Sequence, residues 1–341
     1  GSLHILHDES FWMNYRQLGL MERILCDMGE LCPDAWLIMV SNPVMAGITY
    51  LGRKYPRAKV VGMCHGFHNV YGLADKLGLE RDKISFEIPG VNHFVWLNRF
   101  FYEGKDAFPL LDRWIKNESK GYFATCKKSD NTGPKAIDLY RRFGVFPIGD
   151  TGNPGGGSWG WEYHTDEKTQ ALWNEDPDFW YDDYFRRSGE QAKKLKDTAD
   201  NMDVRVTDVY SRSLSPEPMV PLLEALACDI SRVVVVNTMN TGGFVEGVPL
   251  DFEVEIPAVI SAKGVQGLHT KPLPKAVVSH MQRDRIAPVN IELAAYENRS
   301  RSLLLELILL DPWTRTRAQA EGFLEEILAM PGNEDMAEHY R

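Results

Sequence analysis

At 341 residues, 44% hydrophobic and 25% charged, the chain has room for two domains and the composition of a globular protein. Its formal net charge of −10, without a basic stripe, argues against a nucleic-acid partner and points to a small substrate. No run of about eighteen apolar residues could span a bilayer and no signal pattern opens the chain, so no membrane association and a cytoplasmic location are expected. Five cysteines without framework spacing (Cys26, Cys32, Cys64, Cys126 and Cys228) are expected to stay reduced.

Residues 18–32 carry apolar positions at helical spacing with charges between them, and Pro33 closes the pattern. An apolar run at 35–40 ends in Ser41-Asn42-Pro43, "GITYLGRKY" predicts a helix, and "KVVGM" predicts a second strand. Strand, helix, strand within about 30 residues is a βαβ unit whose strands run parallel. From about residue 85 the texture changes to β-branched and aromatic residues at strand-like spacing. A helix is expected over 135–143, a solvated helical region over 173–200 and a proline-entered helix in "PEPMVPLLEALACD". "RVVVVNTMNTGG" and "FEVEIPAVI" read as strands, and the chain closes in helices at 287–309 and 314–329 with stripes such as Leu303, Leu304, Leu307 and Leu310. The expected class is α/β: a partial Rossmann-like parallel sheet over 1–84, then an α+β substrate and oligomerisation domain over 85–341 with C-terminal helices.

Three polar clusters fall where apolar runs end, the expected ligand end of an open α/β sheet: Ser41-Asn42-Pro43, Cys64-His65-Gly66 and 237–243. A thiolate and an imidazole suit a divalent transition metal. Cys64 and His93 are too far apart for a zinc-finger pair, so the residues alone leave open a metal site, a buried cysteine or a core histidine. His68 belongs to the same stretch, "GMCHGFHNVYG". The glycine-rich "GDTGNPGGGSWGW" (149–161) is either a close approach to a ligand or a long loop. Asp150 is the carboxylate placed where the apolar stretch 145–148 ends, and Trp159 and Trp161 either form a wall for a sugar ring or pack. The expectation is that the chain holds no Gly-x-Ser-x-Gly elbow, no P-loop and no Gly-x-Gly-x-x-Gly dinucleotide fingerprint. A conventional glycosidase carboxylate pair stays open, since acidic residues are abundant.

Taken in order, "ELCPDAWLIMVSNPV", "KVVGMCHGF", "GVNHFVWL", "FPIGD" and "VVVVNTMNTGGFVEGVPLDFEVEIPAVI" resemble family 4 of the glycoside hydrolases, from about residue 15 to the C-terminus. That family departs from the two-carboxylate scheme and depends on NAD. The resemblance implies oxidation of the sugar at C3 by NAD⁺, removal of the acidified C2 proton by a base, elimination of the glycosidic oxygen, addition of water and reduction of the ketone. A divalent metal, usually Mn²⁺, stabilises the enediolate. Carried over by motif, Cys64 and His93 are the implied metal ligands, Asp150 the base and His65 the proton donor near the leaving oxygen, where an imidazole is well suited. Asn42 and Asn92 are the implied substrate contacts. The Cys-His-Gly variant leans toward α-linked sugars without a 6-phosphate, uronates included. A uronate would call for an arginine clamp, for which Arg99 is available.

Family members open with a Rossmann strand, a Gly-x-Gly-Ser turn and an acidic residue for the ribose, well before the "CPDAW" segment, which here starts at Cys32. Cofactor-binding residues are therefore not assigned. A sheet without its first half exposes an apolar edge, so the expectation is either a missing segment or a homo-oligomer, a dimer or tetramer. The alternative function is a non-catalytic sugar- or metal-binding relative, or a truncated form, lacking NAD binding.

Overall fold

The fold begins with α1 (Phe11–Leu31), whose buried stripe is Phe11, Asn14, Leu18, Met21 and Leu25. It starts earlier than the apolar pattern predicts, because its early turns contribute a polar residue to that stripe: the buried Asn14 Nδ2 donates to Glu292 Oε1 at 2.7 Å. The computed structural model describes residues 10–126, 130–152, 160–210 and 217–341, without the side chains of 177–181.

The βαβ unit forms as predicted. Strands β1 (Leu37–Met39) and β2 (Val60–Gly62) run parallel, pairing Leu37 with Val60 and Met39 with Gly62, and α2 (Val44–Lys54) crosses between them. Eight consecutive residues of α2, Val44 to Leu51, are buried, as befits a helix wedged between sheet and bundle. Helix α3 (Asn69–Lys76) follows, then β3 (Ile84–Glu87), β4 (Gly90–Val91), β5 (Phe94–Leu97), β6 (Arg99–Tyr102) and β7 (Lys105–Asp106). Helices α4 (Phe108–Asn117), α5 (Ser119–Phe123) and α6 (Pro134–Phe143) lead to β8 (Phe146–Ile148). After α7 (Glu167–Trp173), α8 (Pro177–Asp200), α9 (Val206–Val209) and α10 (Met219–Cys228) come β9 (Arg232–Met239), β10 (Glu253–Ser261) and β11 (Gly264–Gly267).

One sheet takes strands from both sides of residue 84, in the order β1-β2-β9-β10-β4-β5-β8, with β11 beside β10; β3, β6 and β7 form a second, three-stranded sheet. Only β1 and β2 are parallel among the described pairs, and every other neighbour is antiparallel. The Rossmann-like character thus resides in the first βαβ unit. The nine-residue β10 is buried almost throughout, which is why it reads as a continuous apolar run interrupted only by Glu253 and Glu255. As the charge pattern predicts, α8 is solvated and laced with i,i+4 pairs such as Arg186–Glu190 and Lys193–Asp197.

The C-terminal region is α11 (Lys275–Met281), a π-helical turn at Gln282–Ile286, α12 (Ala287–Asn298), α13 (Arg301–Leu309), α14 (Arg317–Ala329) and α15 (Glu334–His339). The helix predicted over 287–309 is broken by Arg299, which takes a left-handed φ of 53°, and Ser300 caps the next helix by accepting from the Leu303 N–H. Leu222 and Ala225 of α10 share a buried cluster with Val61, Met63, Val234 and Val236, and the helix packs against β9 and β10.

Candidate active site

The chain past β2 carries Cys64 and His65, then a single 3-10 turn, Gly66–His68, into α3. Cys64 Sγ accepts from the Gly66 N–H at 3.4 Å, so the turn curls back over the thiol. Gly62, the last residue of β2, has no room for a side chain: a Cβ would lie 2.7 Å from Val44 Cγ1 and 2.9 Å from Asn237 Cβ. The second approach is between Gly66 and Gly149, where a Cβ on Gly149 would stand 3.0 Å from Gly66 Cα. Gly149 also holds a φ of +59°, so a residue without a Cβ is required there on two counts.

That approach delivers Asp150 to the cysteine turn. β5 and β8 pair Val95 with Ile148, and two residues beyond that pair, His93 and Asp150 face each other with His93 Nε2 3.7 Å from Asp150 Oδ2. Thr151 pins the arrangement from beneath: its hydroxyl accepts from the Val95 N–H at 2.8 Å and donates to the Val95 carbonyl at 3.0 Å. His93 itself sits at a left-handed φ of 59°, an uncommon conformation for a side chain of its size. The side chains of His93 and Asp150 are 11% and 39% exposed, so the imidazole is lodged in the wall and the carboxylate reaches the opening.

Beneath His93 lies a polar floor. The registers set Gly62, Asn237, Glu255 and Gly90 abreast across four strands. The wholly buried Asn92 donates its Nδ2 to Asn237 Oδ1 (2.8 Å) and Glu255 Oε2 (3.0 Å), and its backbone N–H to Glu253 Oε2 (3.1 Å). The Asn92 amide thus spends its Nδ2 on neighbouring side chains, while its Oδ1 has no protein partner. Asn237 opens the polar cluster 237–243 that the sequence singles out, whereas Glu253 and Glu255 are the residues the sequence reading missed beside it. The signal was two acidic residues inside an otherwise apolar strand, since buried carboxylates are rare without partners.

The remaining expectations divide. Asn42 is exposed just past β1, joined to Pro43 by a cis peptide bond. His65 is largely exposed, and its Nδ1 meets Glu217 Oε1 at 2.9 Å. His68 is half-buried between the Phe67 and Tyr71 rings. Arg99 lies in the three-stranded sheet near Glu87, 3.6 Å away, and is not part of the cluster. Trp161 packs edge-on against Trp313 and His164, whereas Trp159 lies outside the described residues. The expectation that neither glycine motif occurs is corrected by the sequence itself: residues 155–160 match the Gly-x-Gly-x-x-Gly spacing and 156–160 the Gly-x-Ser-x-Gly spacing, and 155–159 lie outside the described residues.

The rim is braced by Asp130. Burial raises its pKa, but the Tyr122 hydroxyl, the Thr132 N–H (2.7 Å) and Lys76 (3.1 Å) outweigh that and hold the carboxyl below the usual carboxylate range. The next residue, Asn131, abuts Gly152 by its carbonyl and donates to Asn69 on α3 at 2.8 Å.

As a metal cradle the donor set fits in kind: thiolate, imidazole and a neighbouring carboxylate suit a borderline divalent ion. Among the described residues no three His, Cys, Asp or Glu side chains converge closely enough to hold such an ion unaided. A metal held by Cys64 and His93 would need oxygen ligands from water or substrate, an open site of the catalytic kind. The fit to NAD is partial: the exposed Asn42 amide is available at the end of β1, and no described residue is assigned to a pyrophosphate. No helix among the described residues is long and apolar enough to cross a membrane.

Comparison with known proteins gives the family and the fold. The model of the family 4 glycosyl hydrolases matches residues 6–79, and the model of their C-terminal domain matches residues 88–314. An α-galactosidase of Bacillus subtilis (strain 168) is 25% identical over 318 residues, covering 92% of this chain and 68% of its own length. An α-galacturonidase of Lachnoclostridium phytofermentans is 26% identical over 322 residues, with 88% and 66% covered. The chain thus spans about two thirds of the length of these relatives. Among solved structures, a 6-phospho-α-glucosidase from gut microorganisms in complex with NAD and glucose-6-phosphate superposes with a TM-score of 0.73 at 16% identity, covering 93% of this chain and 71% of that one. The Thermotoga maritima 6-phospho-β-glucosidase with manganese, NAD⁺ and glucose-6-phosphate gives 0.68 at 20% identity, with 93% and 71% covered. At these identities the likeness is one of fold.

Proposed function

We propose that this chain, which belongs to family 4 of the glycosyl hydrolases, cleaves α-linked glycosides, uronides among them, by oxidation at C3, deprotonation at C2 and elimination followed by addition of water. The observation that carries the reading is the meeting of three distant segments: the cysteine turn lies against Gly149, and Asp150 lies 3.7 Å from His93. Curated relatives named α-galactosidase and α-galacturonidase support the α-linkage and the uronide. Structural neighbours with NAD and manganese support the cofactors.

When bound, NAD⁺ supplies the oxidant for C3 and a divalent metal supplies Lewis acidity toward the sugar oxygens. The chain's own residues do the rest. Cys64 and His93 hold the metal. Asp150, on its pinned turn, takes the proton from C2, and its partial exposure leaves it access to the sugar. His65 stands at the open edge, where it gives a proton to the departing glycosidic oxygen. Asn42 hydrogen-bonds sugar or cofactor, and Asn92 with Asn237 and Glu255 keeps His93 in its left-handed turn. With its cysteines unpaired by disulfides, the protein is suited to a reducing compartment such as the cytoplasm, and we place it there as a homo-oligomer, a dimer or tetramer.

A panel of aryl α-glycosides and α-uronides, assayed with and without NAD⁺ and Mn²⁺, tests the reading. Turnover that requires both and disappears in Cys64→Ser is expected. Hydrolysis indifferent to both additions, or full activity in that variant, overturns the mechanism.

A further inference from the structure

We infer that Glu217 is a positioning residue for the leaving-group step: it accepts from His65 Nδ1 and so turns Nε2 of that ring toward the open side of the site. The inference rests on the role proposed above for His65, and it extends the active site to α10, an element far along the chain.

The geometry is specific. His65 Nδ1 and Glu217 Oε1 are 2.9 Å apart across 152 residues of sequence. Both partners adjoin the same buried apolar cluster. Leu222 and Ala225 of α10 belong to it together with Val61 and Met63, which precede Cys64 and His65 in the chain. Pro218, at the N-cap of α10, and Pro221, one turn in, stiffen the entry to the helix, and the Met219 N–H donates to the Glu217 carbonyl at 2.8 Å. A sheet-docked helix start thus presents a carboxylate to a ring on the adjoining strand extension.

Burial separates this role from a structural one. The His65 side chain is 65% exposed and that of Glu217 28% exposed. Exposed polar contacts of this kind add little to folding stability, so the contact's effect lies in fixing a ring that could otherwise sample several rotamers. An imidazole anchored at one nitrogen presents the other in a fixed direction. Glu224, on α10 itself, makes a surface contact with Arg232 at 2.6 Å and has no place in the site, so it serves as a control.

The experiment compares Glu217→Ala, Glu217→Gln and Glu224→Gln in the full chain with NAD⁺ and Mn²⁺. The substrates are α-glycosides whose aglycones run from 4-nitrophenol to methanol. Glu217→Ala is expected to lose about tenfold or more in kcat on the methyl glycoside, to stay within about twofold on the nitrophenyl glycoside and to leave KM unchanged. Glu217→Gln, which keeps an accepting oxygen, is expected to recover most of the loss, and Glu224→Gln to match the wild type. An equal loss on every aglycone, or a Gln variant as impaired as Ala, overturns the assignment. In parallel, ¹⁵N-histidine spectra read the contact without turnover. The His65 ring resonances should move in Glu217→Ala and hold in Glu224→Gln; an unmoved His65 overturns the proposal. A wild type that cleaves nothing, with His65 resonances that do move, removes the glycosidase reading and leaves the positioning contact standing.

Discussion

The His164–Glu175 contact (3.3 Å) and the His65–Glu217 contact (2.9 Å) join the same chemical groups, yet the first pair is wholly enclosed and the second leaves His65 65% exposed. Around the enclosed pair, Lys135 places Nζ 3.5 Å from Glu175 Oε2 at 1% exposure, and the Tyr163, Trp161 and Trp313 rings close over the knot. Its charges compensate one another inside the protein, so losing one member leaves an uncompensated buried charge. At the site the corresponding groups lie at the ends of strands, on turns made narrow by Gly66 and Gly149, and Asp150 and His65 keep surface for a ligand. The two pairs differ in exposure and not in residue type, and in the proposed reading the exposed one is the pair placed for chemistry.

The comparison breaks most readily at Asp150. Asp150→Asn is expected to lower kcat on an α-glycoside by about 10²–10⁴ while leaving the urea midpoint where it was; a loss below about tenfold would put the base elsewhere. Glu175→Ala should do the reverse, destabilising the fold by about 3–5 kcal/mol in chemical denaturation. If that variant unfolds with the wild type but loses activity, the knot belongs to the site and the contrast fails.

Smaller effects sharpen the boundary between the two regions. Gly149→Ala forces a Cβ into a left-handed φ and against Gly66, so a loss of about 1–2 kcal/mol is expected together with reduced turnover. Stability and activity both at wild-type level would show that the turn tolerates a side chain. Thr151→Val, which removes both hydroxyl contacts with Val95, should cost about 1–3 kcal/mol because a buried N–H loses its acceptor. The smallest effect is at Asp130, whose folded-state pKa lies below the ordinary carboxylate value of 3.8. Its contribution is present above that value and is lost as the pH falls through the depressed one. Asp130→Asn is accordingly expected to flatten the acid limb of the stability profile below about pH 4, and an unchanged limb would remove Asp130 from the rim's supports.

Much was legible in the sequence because its local signals agreed with the fold. The apolar run at 35–40, the helix after Pro43 and "KVVGM" gave β1, α2 and β2, and the motif order singled out segments that the fold brings together at the Gly66–Gly149 approach and the His93–Asp150 contact. The Asn92 bonds to Asn237 and Glu255 were not legible, because its place beside His93 in the chain says nothing about which way its amide turns. The break between α12 and α13 was hidden because Leu303, Leu304 and Leu307 continue a helical stripe, while a left-handed Arg299 interrupts only the backbone.

The sequence by itself determined which residues can form strands and helices, and which thiol, imidazoles and carboxylates occur where apolar runs end, because periodicity and residue chemistry are local properties. Only the tertiary structure decided that Glu217 would reach His65, that Asn237 and Glu255 would become the floor under His93, and that His164 would be enclosed. Those outcomes depend on strand register, on helix docking by Leu222 and Ala225, and on burial, all of which arise between segments distant in the chain.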